Sequence, residues 1–184
     1  MFSRSIAIRP APALRTSCWL NSAKDLTLDD LKGRVVVLIA FQMLCPGCVA
    51  RSIPLALRME QLFERRDLAV VGLHTVFEHH HVMTPDALEV FLAEYQIRFP
   101  VGVDLPDPAG GNIPLTMQAY QMRGTPTLVL IDAEGRRRAQ FFGAHDDLLL
   151  GAEIGALLAE RDGARLFSAA HETHDDAMGC ATGQ

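Results

Sequence analysis

Apolar residues occur along the chain in short runs that predict buried strands, separated by stretches with the spacing of amphipathic helices. Residues 35–40 are apolar and largely β-branched, as expected of a strand that is buried on both faces. Similar runs cover residues 68–73 and 127–131. Residues 49–66 and 84–95 carry apolar side chains at helical spacing. The alternation of strands and helices predicts an α/β fold.

The second half of the chain predicts a hairpin and a closing helix. The third apolar run is followed by a turn at residues 132–135 and by a partner strand at 136–142. An amphipathic helix is predicted over residues 145–161. The last segment, residues 162–184, lacks apolar periodicity and is predicted to be flexible. We therefore expect one domain over residues 1–161 with a flexible C-terminal tail.

Length and composition narrow the class of protein. The chain has 184 residues, of which 49% are hydrophobic, and this suits one soluble domain. Its net charge of −5 favours neither nucleic acid nor an anionic membrane, so we expect neither as a partner. No apolar run reaches the ~20 residues that a spanning helix needs. The N-terminal segment lacks an apolar signal core, so a cytoplasmic location is expected.

Two cysteines, Cys45 and Cys48, stand where the first buried strand ends and a helix begins, with Pro46 and Gly47 between them. The N–H groups and the positive dipole end of a helix N-terminus stabilise a thiolate over a thiol. The short spacer lets the second sulfur close a small disulfide ring with the first. A zinc site usually needs a second cysteine or histidine pair, which is absent from the sequence. We expect redox chemistry, with no metal and no cofactor besides a redox-active Cys45–Cys48 disulfide.

Four further residues are candidates for the same site. Pro126 stands at the entry of a strand, where it cannot donate to the ladder, and its bond to Thr125 is a candidate for the cis isomer. Glu60 is a candidate half-buried carboxylate on the helix that follows the cysteines. His79, the first of three adjacent histidines in a loop, could approach Cys45 as a titratable neighbour. Adjacent loop histidines are, however, more often solvated.

Two motifs and the order of elements closely resemble the thioredoxin-like superfamily, and specifically its redoxin branch of TlpA-like and AhpC/TSA-like proteins. The motifs are Cys45-Pro46-Gly47-Cys48 and Gly124-Thr125-Pro126-Thr127, and the second is followed by Asp132-x-x-Gly135. The resemblance covers residues 12–161. It implies a central mixed sheet flanked by helices, with an insertion at residues 75–116 before the proline strand.

The resemblance also implies roles for individual residues. Cys45 is expected to be the attacking thiolate and Cys48 the resolving thiol. Pro126 is expected to be a cis-proline beside the pair, and Thr125 to offer its backbone to the substrate. The implied partners are a disulfide-bearing protein or small molecule and a reductase that donates electrons. The implied activity is that of a thiol–disulfide oxidoreductase with an antioxidant role.

The sequence departs from the family at two positions before the first cysteine, which leaves the identity of the partner open. Leu44 stands where many members have tryptophan before the first cysteine. Ile39 stands where thioredoxins carry a buried acid. The proton acceptor for Cys48 is therefore not assigned by the resemblance.

Two alternative functions stay open from the sequence. A peroxiredoxin-like peroxidase would have a threonine hydroxyl three residues before its reactive cysteine, whereas Gln42 precedes Cys45 at that distance. A Sco-like copper carrier would use Cys45, Cys48 and one imidazole from residues 79–81, since soft thiolates suit Cu(I). Dithiol exchange is the function that the two motifs favour most.

Overall fold

A computed structural model describes residues 8–178 of the chain, with the side chains of residues 8–166. Within this part, one sheet contains the strands β1 Arg9–Pro10, β2 Thr16–Leu20, β3 Val35–Phe41, β4 Leu68–His74, β5 Val101–Asp104, β6 Thr127–Ile131 and β7 Arg136–Phe142. The helical elements are a 3-10 turn at Asp29–Leu31, a π-helical turn at Cys48–Ser52, α1 Ile53–Leu62, α2 Pro85–Glu94, α3 Leu115–Ala119 and α4 Asp147–Met178.

The sheet is mixed and has β3 at its centre. Its strand order is β1-β7-β6-β3-β4-β5-β2. Strands β3, β4 and β5 run parallel, while β6 lies antiparallel on the other side of β3. The predicted α/β fold with a central mixed sheet and flanking helices is confirmed. The segment predicted to be an insertion, residues 75–116, contains α2 and β5, and β5 extends the sheet beside β4.

Strand β3 is fixed by its apolar sequence. All seven of its residues are buried, and alternate side chains enter cores on opposite faces of the sheet. Phe41, at the end of the strand, packs in the same core as Cys48, Met43 and Ile53. Burying one large apolar side chain contributes about 1.5–3 kcal/mol, so the register of β3 is strongly determined. This register fixes where the chain leaves the sheet toward the cysteines.

The helix after the cysteines begins with a π-helical turn, Cys48–Ser52, which passes directly into α1. Pro54 favours a kink here, because it has no N–H to give to the carbonyl of Ala50 and its ring crowds that carbonyl. The π-helical turn Cys48–Ser52 contains Ala50 and ends two residues before Pro54. Helix α1 ends at Leu62, four residues before the predicted end at Arg66.

The last helix is longer than predicted, because α4 continues to Met178 instead of ending at Arg161. The Arg161 side chain is buried, and its guanidinium donates to the backbone oxygen of Asp67 at 3.0 Å and lies 3.0 Å from the Asp67 carboxylate. Residues 162–178 lack an apolar stripe, so the apolar pattern did not predict this extension. Here an ion pair anchors the helix at the predicted boundary.

The chain termini lie partly outside the described residues, which exclude residues 1–7 and 179–184 and therefore Cys180. The flexibility of the C-terminal tail stays a prediction. Among the helices of residues 8–178, none combines the length and the apolar character that crossing a bilayer requires.

One buried histidine lies at the end of β4. His74 is fully buried, and its ring centroid lies 5.5 Å from that of Phe41. Neither ring nitrogen has a hydrogen-bond partner among the described residues. Burial lowers the pKa of His74 to about 4, because a charged imidazolium would lose its hydration without gaining a partner. The folded protein therefore holds this side chain neutral.

We expect His74 to make the fold sensitive to acid. The unfolded chain takes up a proton at His74 below pH ~6.5, whereas the folded chain takes it up only near pH 4, so stability falls as the pH drops through this window. Between pH 7 and pH 5 this histidine costs roughly 2 kcal/mol of unfolding free energy. Urea unfolding at both pH values should show a smaller loss for His74→Leu than for wild type. The exposed His80→Gln serves as the control, and equal losses in all three proteins would contradict this.

Candidate active site

The two motif cysteines lie at the first turn of the helix that follows β3. The backbone carbonyl of Cys45 accepts hydrogen bonds from the amides of Cys48 at 3.0 Å and Val49 at 3.1 Å. The amide of Cys45 donates to the carbonyl of Gln42 at 3.2 Å. Both cysteines are free thiols, and their Sγ atoms lie 2.7 Å apart, with Cys48 donating. The structure therefore brings the predicted pair together at a helix N-terminus.

The two sulfurs have different surroundings. Cys45 is partly exposed, and its Sγ accepts a hydrogen bond from the amide of Cys48 at 3.3 Å. Cys48 is fully buried. Burial, and secondarily the hydrogen bond to Cys45, raises the pKa of the Cys48 thiol to about 12. Cys45 is thus the accessible sulfur, while Cys48 is held protonated beneath it.

The proline loop before β6 covers one side of this pair. The Thr125–Pro126 peptide bond is cis, and the Thr125 carbonyl accepts a hydrogen bond from Cys45 Sγ at 3.6 Å. A Cβ on Gly47 would lie 3.4 Å from Pro126 Cδ, so the spacer between the cysteines packs directly on the proline ring. The amide of Gly143 donates to the Pro126 carbonyl at 2.9 Å and ties this loop to the end of β7. The proline loop and the dithiol therefore form one site.

The other candidates lie apart from this contact. Pro46 is exposed. Glu60 is half-buried on α1 and accepts a hydrogen bond from the Arg65 guanidinium at 2.7 Å. His79 is exposed and begins a turn in which its carbonyl accepts the amide of Val82 at 3.1 Å. No hydrogen bond in the described part of the chain joins Glu60 or His79 to the cysteines, and their roles as modulators stay predictions.

The described residues also bear on the copper alternative. Among the side chains of residues 8–166, no three histidines, cysteines, aspartates or glutamates gather as metal ligands. The imidazoles of His79, His80 and His81 are exposed in their loop. The structure therefore gives the copper-carrier hypothesis no ligand set.

Sequence reasoning missed the environment of Gln42. Its side chain is 1% exposed, and neither amide atom has a hydrogen-bond partner among the described residues. Its backbone carbonyl positions the amide of Cys45. A polar residue immediately after a fully buried strand was the available signal, because a buried amide costs free energy unless it is hydrogen-bonded.

A groove beside the dithiol was also missed. It opens at Gly47 and Pro126 and runs between the first turns after the cysteines and the loop that precedes α4. Arg51, Pro54 and Arg58 line the helical wall, and residues 143–145 with Asp147 line most of the other wall. These two walls are nearly a hundred residues apart in the chain, so no local pattern could have joined them.

Comparison with known proteins agrees with this fold. The AhpC/TSA family model matches residues 9–139, which is most of the chain. The chain belongs to the AhpC/TSA family. The matched range contains both cysteines and the proline loop, as the resemblance to the redoxin branch implied.

Solved structures of related proteins extend this result. A thioredoxin-like superfamily protein is 59% identical, with a TM-score of 0.79 over 81% of this chain and 96% of that one. A thiol–disulfide isomerase from Corynebacterium glutamicum is 47% identical, with a TM-score of 0.77 over 80% of this chain and 96% of that one. Together with the family, these relatives show a redox enzyme with a thioredoxin-like fold of the thiol–disulfide oxidoreductase type.

A curated relative is much longer than this chain. Protein DipZ of Mycobacterium bovis is 32% identical over 130 residues, which are 70% of this chain and 17% of DipZ. DipZ of Mycobacterium tuberculosis matches to the same extent. The chain therefore spans about a sixth of the length of these curated relatives.

The unequal burial of the two sulfurs predicts unequal alkylation. When the reduced protein is treated with iodoacetamide at pH 7–9, we expect Cys45 to be labelled first, because Cys48 is covered and its pKa is raised to about 12. In Cys45→Ser, Cys48 should stay slow to react over the same range. Peptide mass spectrometry distinguishes both from Cys18. Equal labelling of the two motif cysteines in native protein would contradict the assignment.

Proposed function

We propose that the protein is a thiol–disulfide oxidoreductase in which Cys45 attacks and Cys48 resolves. The observation that carries this proposal is the asymmetry of the pair. One sulfur is partly exposed and accepts an N–H hydrogen bond, while the other is fully buried and lies 2.7 Å from the first. An incoming disulfide can reach only the first sulfur, and the second is in place to displace it afterwards.

The first step is attack on a substrate disulfide. The Cys45 thiolate forms a bond with one substrate sulfur, the substrate S–S bond breaks, and the departing sulfur takes up a proton. The positive end of the helix and the Cys48 amide stabilise the anionic sulfur before attack. The Thr125 carbonyl contacts Cys45 Sγ, so the backbone before Pro126 lies where the substrate approaches the sulfur.

The second step releases the reduced substrate. Cys48 loses its proton and attacks Cys45 Sγ, so the mixed disulfide breaks and the second substrate sulfur leaves as a thiol. Two electrons have then passed from the dithiol to the substrate. Because the Cys48 thiol has a raised pKa, its proton must be accepted as it attacks, and the second substrate sulfur takes up this proton as it leaves. An external dithiol reductase must then reduce the Cys45–Cys48 bond.

The physiological substrate, the electron donor and the cytoplasmic location stay predictions. The reducing direction follows from that expected location, because dithiols in a reducing compartment are kept reduced. The reduction potential decides this direction, and oxidoreductases of this kind span about −270 to −120 mV.

Peroxidase activity is the second candidate function, and the match to the AhpC/TSA family supports it. The position three residues before Cys45 is occupied by Gln42, whose side chain is buried, so no hydroxyl is supplied there. The partly exposed thiol can still meet a small peroxide. Disulfide exchange and peroxide consumption by one preparation separate the two functions.

Serine variants test the assignment of roles. Cys45→Ser should lower the rate of disulfide reduction on the order of a thousandfold, because a serine hydroxyl is not ionised at neutral pH. Cys48→Ser should form a mixed disulfide with the substrate and fail to release it, and intact-protein mass spectrometry would detect this adduct. Cys18→Ser, which alters a half-buried cysteine of β2, should react like wild type.

Two results would overturn the proposal. A stable mixed disulfide on Cys48 in Cys45→Ser would reverse the roles of the two sulfurs. Rapid consumption of hydrogen peroxide by wild type, with little exchange toward any disulfide, would establish the peroxidase instead.

A further inference from the structure

The groove beside the dithiol contains one cation that has no partner in the described residues. Arg51 lies on the π-helical turn directly after Cys48, is exposed, and lines the groove. None of the hydrogen bonds and ion pairs in the described part of the chain includes its guanidinium. A second arginine in the groove, Arg58, is instead paired with Asp147 at 3.5 Å.

The acids near the groove are already engaged. Asp147 faces Arg58 across the groove, so these two charges largely offset one another. The Asp146 carboxylate accepts the amides of Leu148 at 2.8 Å and Leu149 at 3.1 Å at the start of α4. That is the usual use of an aspartate at a helix N-terminus. The net charge presented to an occupant of the groove is therefore positive, and it is centred on Arg51.

A histidine on the opposite wall is also unpartnered. Both ring nitrogens of His145 are covered, yet neither has a hydrogen-bond partner among the described residues. Its ring packs against Phe141, with 5.8 Å between the ring centroids. A buried polar atom without a partner costs free energy unless a ligand or water supplies the bond. Arg51 thus offers an occupant an unpaired charge, while the opposite wall presents His145 with its ring nitrogens covered.

The extent of the surface indicates a polypeptide rather than a small anion. The groove runs from Pro126 beside the dithiol to Asp147 at the start of α4. Large apolar side chains are exposed next to each end, with Leu44 59% and Leu148 87% exposed. An extended chain can cover these side chains while it contacts Arg51, whereas a small anion would contact the arginine alone.

We propose that this groove binds an acidic polypeptide segment of the substrate, beside its reacting cysteine, with Arg51 as the residue that determines this specificity. The inference rests on the proposed disulfide exchange at Cys45 and deepens it by naming the substrate class. Cations that face the groove raise the local concentration of acidic segments and hold them during attack.

The test uses three peptides of one sequence, each with a single intramolecular disulfide and with Glu, Gln or Lys beside the cysteine. The rate constant for their reduction by the fully reduced protein is measured by acid quench and chromatography, at about 0.02 M and about 0.5 M ionic strength. An uncharged disulfide, 2-hydroxyethyl disulfide, gives the reference rate for each protein variant. Glutathione disulfide provides a small anionic substrate.

We expect wild type to reduce the Glu peptide about three- to fivefold faster than the Gln peptide, and the Lys peptide more slowly, since an exposed ion pair contributes at most about 1 kcal/mol. High salt should remove this preference. Arg51→Glu should reverse the order of the three peptides. Arg51→Lys, which keeps the positive charge, should show the wild-type order. The matched control is Arg98→Glu, which alters an exposed arginine outside the groove lining and should keep the wild-type order.

Equal rates for the three peptides at low salt, or an unchanged order in Arg51→Glu, would overturn the inference while leaving disulfide exchange intact. Faster reduction of glutathione disulfide than of the Glu peptide, with dependence on Arg51, would overturn the assignment of a polypeptide occupant. If wild type reduces neither the uncharged disulfide nor any peptide, the proposed function itself fails, and this result is distinct from the other two.

Discussion

The reactivity of the site depends on the contact between the partly exposed sulfur of Cys45 and the fully buried sulfur of Cys48. Cys48 belongs to the apolar core beneath the sheet, and Cys45 stands above it at the helix N-terminus. Burial keeps the inner sulfur protonated, while the outer one is partly exposed and accepts a hydrogen bond from the Cys48 amide. Because the two sulfurs differ only in their surroundings, the order of their reactions depends on this burial.

Three elements hold that difference in place. The buried strand β3 pairs with β4 in a fixed register, and this register determines where the chain leaves the sheet before Cys45. The π-helical turn that begins at Cys48 gives the helix a start compatible with Pro54 six residues later. The proline loop packs Pro126 on Gly47 and places a carbonyl against Cys45. The site is therefore assembled from a central strand, a helix start and a loop that lies about eighty residues later in the chain.

Local patterns predicted the parts of this site that depend on neighbouring residues. The β-branched run before the cysteines specified β3, and the spacing of Cys45 and Cys48 specified the pair. The extension of α4 beyond Arg161 could not be read from periodicity, because the contact there is polar and runs from the Arg165 guanidinium to the distant carbonyl of Gly33. The groove could not be predicted from local patterns either, because its two walls come together only in the folded chain. Contacts between polar residues that are distant in the chain cannot be predicted from the spacing of apolar residues.

The central claim is that Cys45 and Cys48 act as one two-electron pair, and mild oxidation tests it most directly. Reduced protein is titrated with a small disulfide, quenched with acid and alkylated, and its bridged peptides are then identified by mass spectrometry. The account predicts a single intramolecular bond between Cys45 and Cys48, with both Cys18 and Cys180 alkylated and full reversal by a dithiol. Oxidation that leaves Cys48 alkylated, or that bridges Cys45 to any other cysteine, would contradict it.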